Sequence, residues 1–230
     1  MLKPRRKIIK KELKKDPYID FLSRAKNNVD ENKKLYMRLV LGTVVIIVAL
    51  LFFRNNLQNS KDAGAESLGK ALVTLASGDL DNATLQFEFI ADKYDNNEAG
   101  TLAKYYLARA HFNDKDYLAS SSYLNEIADA SFKLGQFPVS VYRMLAFIAS
   151  ENGDHAAAME HYEQALDKAE VVHQKQNIAL DLADVLLTMG DFGSSLDLVQ
   201  SVLDEAMPRT SLHNRAEELF GRIEFAQSAG

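Results

Sequence analysis

The sequence predicts an all-α protein: a single N-terminal transmembrane helix, then an α-solenoid of about four helical hairpins with a C-terminal capping helix. Three observations support this fold class. Residues Leu39–Phe53 form a run of fifteen positions without a charge. Beyond Ser67 the chain is rich in Ala and Leu with almost no β-branched alternation, a pattern typical of amphipathic helices. A short turn signal recurs four times in this second region, which indicates a repeated helical unit.

The apolar run is long enough to cross a membrane once its flanks are counted. Twelve of its fifteen residues are Leu, Val, Ile or Phe, which favour the bilayer centre. Extended to Leu35–Leu57, the helix is about 34 Å long, against a hydrocarbon core of about 30 Å. A buried core helix would carry a polar face, which this run lacks. A signal peptide cleaved near Ala63-Gly64-Ala65 fits poorly, because 38 residues precede the run. We therefore predict a membrane anchor.

Charge is distributed unevenly on the two sides of the anchor. Residues 1–38 hold 13 Lys and Arg against 5 Asp and Glu, whereas residues 54–230 hold 14 against 27. The positive-inside rule places the basic side in the cytoplasm and the acidic side across the membrane. The absence of cysteine excludes disulfides and thiolate zinc sites. The predicted segments are a basic cytoplasmic arm (1–34), the transmembrane helix (35–57), a polar linker or fraying helix end (58–66) and a helical domain (67–230).

The basic arm opens with KPRRKIIKKELKK. Attraction to anionic lipid headgroups beside the anchor explains this composition, and the lack of interleaved aromatic residues argues against nucleic acid. Asp16-Pro17 predicts an N-cap followed by a helix with a thin apolar stripe. That helix either lies in solvent or on the membrane, or docks a cytosolic partner.

The four turn signals are separated by 37, 38 and 37 residues. They are Gly78-Asp79-Leu80, Lys115-Asp116-Tyr117, Gly153-Asp154-His155 and Gly190-Asp191-Phe192. Gly allows the backbone to end one helix, and Asp caps the next. Small residues lie seven positions before each turn and five after it, so that the two helices can cross closely; they are Ala71, Ala108, Ala146 and Ala183, then Ala83, Ser120, Ala158 and Ser195. A bulky residue follows nine positions after each turn. One such hairpin cannot bury its apolar face alone, so the hairpins must stack.

This pattern resembles the tetratricopeptide repeat (TPR), most clearly in the third unit, LAFIASENGDHAAAMEHYEQAL. The second unit departs from it, with Lys115 in place of Gly. The resemblance covers Ser67 to Met207, with Leu212 to Gln227 as the capping helix. Together, the basic arm, single span and acidic TPR domain are similar to the bacterial YfgM family, an ancillary subunit of the Sec translocon. That resemblance implies a single-pass inner-membrane protein with a cytoplasmic N-terminus, whose periplasmic domain works beside the translocon and a membrane-anchored chaperone/isomerase.

No motif in the sequence predicts catalysis or a cofactor. The five histidines lack metal-ligand spacing, and neither a Gly-rich phosphate loop nor a nucleophile elbow is present. The recurring Asp residues are explained as helix caps. We therefore expect no enzyme activity, no cofactor, no metal and no nucleic-acid partner.

A stack of helical repeats offers a concave surface lined by the leading helix of each unit. The predicted partner-binding groove residues are Leu68, Leu72, Leu75, Tyr105, Arg109, Phe112, Asn113, Arg143, Phe147, Glu151, Leu180, Asp184 and Leu187. Apolar anchors mixed with two arginines suit a peptide segment or a partner helix. Arg109 and Arg143 could take a carboxylate, resembling the carboxylate-clamp TPR proteins, although the Lys and Asn set of that clamp is absent. Alternatively, the groove is shallow or is filled by the chain's own helices.

The predicted function is that of a membrane-anchored scaffold or adaptor, which binds protein partners at the Sec translocon with periplasmic chaperones. A first alternative is a scaffold of envelope assembly or cell division that contacts cell-wall machinery. A second is a membrane-associated enzyme or regulator that acts through the cytosolic arm. The sequence leaves the identity of the partner and the oligomeric state open.

Overall fold

A computed structural model describes residues 17–128 and 137–229, and these two ranges contain helices and no strand, which confirms the all-α class. The polybasic opening and the predicted cap at Asp16 lie outside the described residues. The helices are α1 (Pro17–Glu31), α2 (Lys33–Ala76), α3 (Leu80–Lys93), α4 (Glu98–Asn113), α5 (Tyr117–Ala128), α6 (Phe137–Glu151), α7 (His155–Lys168), α8 (Val172–Met189), α9 (Phe192–Glu205) and α10 (Ser211–Ala229).

The chain forms two compact units, residues 1–59 and residues 60–230. Helix α2 contains the apolar run, and within the described part of the chain it alone is long and apolar enough to cross a membrane. None of its apolar window is buried against the chain; Leu41 is 65% exposed and Phe52 77%. The predicted linker at 58–66 is not a break, because α2 continues to Ala76. That segment is polar but contains no proline, so nothing in it stops a helix.

The second unit is a stack of helical hairpins, as predicted. Helix α4 packs against α5, α6 against α7, and α8 against α9, while α3 contacts α4, α5 contacts α6, and α7 contacts α8 across neighbouring hairpins. The last turns of α2 join the first hairpin, because Leu68 and Ala71 share one core cluster with Ala83 and Phe87 of α3. Helix α10 ends the stack by packing on both α8 and α9.

The turn chemistry predicted from the repeated Gly-Asp is observed. Gly78, Gly153 and Gly190 adopt left-handed φ angles of 84°, 78° and 83°, and Lys115 takes the same conformation at 62°. A side chain there costs about 1–2 kcal/mol, so the second repeat retains the turn in spite of its sequence. The aspartates that follow cap the next helices: Asp154, for example, accepts a hydrogen bond from the Ala157 backbone N at 3.1 Å.

The small residues of the repeat lie where the two helices of each hairpin cross. All eight are 0–1% exposed. Where serine replaces alanine, its hydroxyl is buried and bonded: Ser120 Oγ donates to the Ala108 carbonyl at 2.8 Å, and Ser195 Oγ to the Ala183 carbonyl at 2.7 Å. The two serines are twelve residues beyond their acceptors, as the repeat requires. These buried crossings confirm the sequence repeat as a packing repeat.

The capping helix α10 covers the apolar face of the fourth hairpin. Its buried residues are Leu212, Ala216, Leu219 and Ile223, spaced three or four apart on one helical face. They share a core cluster with Leu180, Ala183, Val199 and Val202. Leu180 is 0% exposed, so its prediction as a groove residue is wrong, because α10 buries this part of α8.

Candidate protein-binding groove

A depression of about 340 Å³ lies between the leading helices of the second, third and fourth hairpins. We call it the central groove. Its walls combine aromatic rings with charged and amide groups. The lining residues are Tyr105, Arg109, Phe112, Asn113, Ser140, Arg143, Met144, Phe147, Tyr162 and Asp181.

Six of the predicted groove residues line this one depression. On α4 they are Tyr105, Arg109, Phe112 and Asn113, which recur at helical spacing and therefore share one face. On α6 they are Arg143 and Phe147, four residues apart. Ring contacts between Phe112 and Phe147 and between Tyr105 and Phe137 place these two faces side by side.

Aromatic rings from two adjacent repeats form one wall of the central groove. The rings of Phe112 and Phe147 meet edge to face with centroids 5.2 Å apart. Tyr117 completes the cluster, at 5.8 Å from Phe112 and 6.1 Å from Phe147. Phe147 remains 38% exposed. Edge-to-face rings give a large apolar surface at low entropic cost, so this wall is available to an apolar side chain of a partner.

Asp181 joins three helices through two arginines. Arg143 of α6 donates to its Oδ2 from Nη2 at 2.6 Å and from Nε at 3.1 Å, and Arg215 of α10 donates to Oδ1 from Nη2 at 2.6 Å. The Asp181 side chain is 15% exposed, and the arginines are 40% and 41% exposed. Ion pairs this wet contribute little individually, but the shared carboxylate fixes both guanidinium groups. Arg143 is therefore already engaged within the chain.

Arg109 is in a different state from Arg143. It is exposed on the face of α4 that lines the central groove. Among residues 17–128 and 137–229, its side chain makes no ion pair and no hydrogen bond. A guanidinium group offers five donors and keeps its charge at any physiological pH. Arg109 is thus the cation that the groove presents to a ligand.

Tyr162 of α7 also lines the central groove. Tyr162 is 5% exposed and packs in the core cluster with Ala146, Ala158 and Ile178. Burial, and to a smaller extent the Asp181 carboxylate, raises the pKa of the Tyr162 hydroxyl well above its usual range. The native state therefore holds this proton under conditions in which an exposed tyrosine loses it.

This pKa shift predicts an alkaline loss of stability that depends on Tyr162. The unfolded chain releases the tyrosine proton above pH of about 10, whereas the native chain keeps it, so the free energy of unfolding falls as pH rises through that value. Between pH 9 and pH 11, the free energy of unfolding should fall by about 1.4 kcal/mol less in the Tyr162→Phe variant than in the unmodified chain. Urea denaturation at both pH values measures this difference. Equal losses in the two proteins would contradict the shift.

The remaining predicted groove residues lie elsewhere. Leu68 is 7% exposed and belongs to the first core cluster, so its prediction is wrong; Leu72 and Leu75 are half-buried against that cluster. Leu187 packs against the core that α10 covers. Asp184 pairs with Arg222 of α10, Oδ1 to Nη1, at 2.9 Å. Glu151 is exposed beyond the lining of the central groove. In the fourth repeat, the chain's own helix fills the predicted surface.

Four lining residues were not predicted from the sequence: Ser140, Met144, Tyr162 and Asp181. Ser140 lies three positions before Arg143, and helical spacing could have found it. Tyr162 is the bulky residue nine positions after the third turn signal, a spacing that predicts core packing and not a place in the groove lining. The pairing of Asp181 with two arginines depends on contacts 34 and 38 residues apart, which no local pattern indicates. No group of three or more His, Asp or Glu in the described ranges is arranged to hold a metal ion.

Neither a family model nor a curated protein matches this sequence. Solved structures do match it. A tetratricopeptide repeat protein from Parabacteroides merdae superposes with a TM-score of 0.60 at 13% identity, covering 72% of this chain and 60% of that one. The nearly identical TPR-like repeats of a Podosopora anserina protein give a TM-score of 0.56 at 15% identity, covering 72% of this chain and 86% of that one. MamA gives a TM-score of 0.52 at 12% identity, covering 72% of this chain and 92% of that one. The fold is a TPR fold.

The TPR fold confirms the resemblance drawn from the repeated Gly-Asp turns. Stacked TPR hairpins form an extended, curved surface. The chain spans about 60% of the length of the Parabacteroides merdae structure. At these identities the comparison establishes the fold alone.

Proposed function

We propose that this chain is a membrane-anchored scaffold that binds protein partners in the central groove of its TPR domain. One observation carries the proposal. The groove places Arg109, which is exposed and makes no ion pair within residues 17–128 and 137–229, next to the aromatic wall of Phe112 and Phe147. Apolar anchors beside a positioned charge are the features by which grooves bind peptide segments and helices.

The anchor is residues 35–57 of α2. Their apolar side chains are exposed. Every large apolar residue between Val44 and Phe53 is at least 50% exposed. Leaving this surface in water is unfavourable in proportion to its area, and a bilayer removes the cost. The excess of Lys and Arg before the run supports a cytoplasmic arm and an extracytoplasmic TPR domain. In a bacterium this corresponds to the inner membrane with the domain in the periplasm.

Tethering makes weak contacts sufficient. A domain held at the membrane meets membrane-bound partners at a higher effective concentration than a free domain does. The arrangement of basic arm, single span and acidic TPR domain is similar to the YfgM family, and this similarity supports the Sec translocon and a membrane-anchored chaperone/isomerase as the partners. The competing proposal is a scaffold for envelope assembly or cell division.

Photo-crosslinking in intact bacterial cells tests the groove and identifies the partner. A benzophenone amino acid at position 147 of the full chain places the reactive group on the exposed aromatic wall. The matched control carries it at Leu118 of α5, which is 84% exposed and absent from the groove lining. We expect a discrete partner from position 147 and none from position 118. Sec components or a chaperone support the proposal, cell-wall proteins support the alternative, and equal labelling from both positions contradicts groove binding.

A further inference from the structure

We propose that the central groove selects an internal peptide segment in which an Asp or Glu residue lies next to a large aromatic or aliphatic residue. The acidic side chain pairs with Arg109, and the apolar side chain packs on Phe112 and Phe147. This inference rests on the proposed function and specifies its ligand.

The charge preference follows from which arginines are already occupied. Asp181 engages both Arg143 and Arg215, and Asp184 engages Arg222. Arg109 has no such partner in the part of the chain that the structure describes. Its pairing with a carboxylate needs no native contact to break. Arg143 would first have to give up two hydrogen bonds to Asp181.

The acidic balance of the domain does not override this local charge. Residues 54–230 carry 27 Asp and Glu against 14 Lys and Arg. At physiological ionic strength, exposed charges separated by more than about 8 Å are largely screened. Asp181, the acidic residue of the groove lining, pairs with two arginines. A carboxylate that reaches Arg109 therefore meets a local positive charge.

The neighbouring apolar residue follows from the spacing along α4. Phe112 lies three residues beyond Arg109, and Tyr105 lies four residues before it, so all three side chains share one face. One helical turn is about 5.4 Å, and one residue of an extended peptide spans about 3.3–3.6 Å. Adjacent side chains of an extended peptide point to opposite sides, so when the carboxylate faces Arg109 on α4, its neighbour faces Phe147 on α6.

An internal acidic residue fits better than a chain terminus, because the groove continues on both sides of Arg109. Tyr105 lies on one side, with its ring edge to face against Phe137 at 4.9 Å. Phe112 and Asn113 lie on the other, and the Asn113 amide can both donate to and accept from a peptide backbone. A bound segment therefore has contacts before and after its carboxylate.

Peptide binding to the full chain in nanodiscs tests this inference. The probe is a fluorescein-labelled, amidated nonapeptide with a central Glu-Phe pair flanked by Ser and Gly. Matched peptides carry Gln-Phe or Glu-Ser, and a fourth peptide lacks Glu but ends in a free carboxylate. We expect the Glu-Phe peptide to bind most tightly by anisotropy. Arg109→Gln should weaken it by about two- to fivefold, the effect expected for an ion pair at an exposed position.

Matched variants separate the groups involved. Arg109→Gln should leave binding of the Gln-Phe peptide unchanged, and Phe147→Ser should weaken Glu-Phe but not Glu-Ser. Arg222→Gln, which changes an arginine outside the groove lining, should change neither. Arg109→Lys, which keeps the charge but not the planar fork, should bind Glu-Phe with intermediate affinity. Circular dichroism of each variant verifies the helical fold.

Several results would overturn the inference. Equal affinity for Glu-Phe and Gln-Phe, or no measurable binding of either, excludes an acidic determinant. If the peptide that ends in a free carboxylate binds more tightly, the groove selects a chain terminus and not an internal acidic residue. If these results occur while position 147 still crosslinks a partner in cells, the ligand chemistry is wrong and the proposed function stands. If position 147 crosslinks nothing, both fail.

Discussion

Leu180→Ala is expected to lower the free energy of unfolding of the TPR domain by roughly 2–5 kcal/mol. Leu180 is 0% exposed and lies in the core cluster shared by α8, α9 and α10. Truncation removes apolar contacts and leaves a cavity that neighbouring helices fill only in part. Chemical denaturation of the detergent-solubilised chain, followed by circular dichroism, measures the change.

The matched control is Leu118→Ala on α5. Leu118 is 84% exposed, so this substitution should change stability by no more than about 0.5 kcal/mol. A similar small effect at both positions would mean that α10 does not bury α8. Leu180 would then be available to the groove surface, as its spacing in the sequence suggested.

Gly100→Ala is expected to destabilise the domain by about 3 kcal/mol, an unusually large effect for the addition of one methyl group. Gly100 lies in the first turn of α4, where a Cβ atom would overlap the carbonyl oxygen of Tyr94 and lie 2.5 Å from its carbonyl carbon. These are backbone atoms, so no side-chain rotation relieves the overlap. The same carbonyl accepts a hydrogen bond from the Asn97 backbone N at 3.0 Å. The connection between the first and second hairpins must therefore shift.

Gly69→Ala provides a control with the opposite sign. Gly69 lies within α2, and a Cβ atom there meets nothing within 4 Å. Alanine should stabilise this exposed helical position by about 0.5–1 kcal/mol, because glycine loses more backbone freedom on folding. Urea denaturation of both variants distinguishes the two sites. A stabilising Gly100→Ala would mean that the α3–α4 connection has room that its geometry does not show.

The repeat was predictable because its signals are local. The left-handed residue ends one helix and the Asp after it caps the next, and both effects depend on contacts within a few positions. Small residues at fixed spacing then mark the helix crossings. The continuity of α2 through residues 58–66 was harder to predict. Polar composition suggests a linker, but helix ends require caps or breakers, and this segment has no proline.

The central groove was predictable in the second and third repeats and not in the fourth. Tyr105, Arg109 and Phe147 follow from helical spacing alone. Leu180 occupies the same repeat position as Tyr105 and Arg143, but α10 packs over it. That contact joins residues more than thirty positions apart, as does the pairing of Arg143 with Asp181. Helical periodicity indicates which residues share a face, but it does not indicate which distant helix covers that face.

One measurement tests the central claim, that the chain holds partners at a membrane through its groove. The yield of the crosslink from position 147 is compared between two forms of the protein. One is the full chain, and the other is residues 58–230 fused to a cleavable export signal. Both are expressed at matched amounts in the same compartment. The anchored chain should give a discrete partner crosslink, and the anchorless chain should give a yield lower by about tenfold or more. Equal yields from the two forms would contradict membrane tethering as the basis of partner binding.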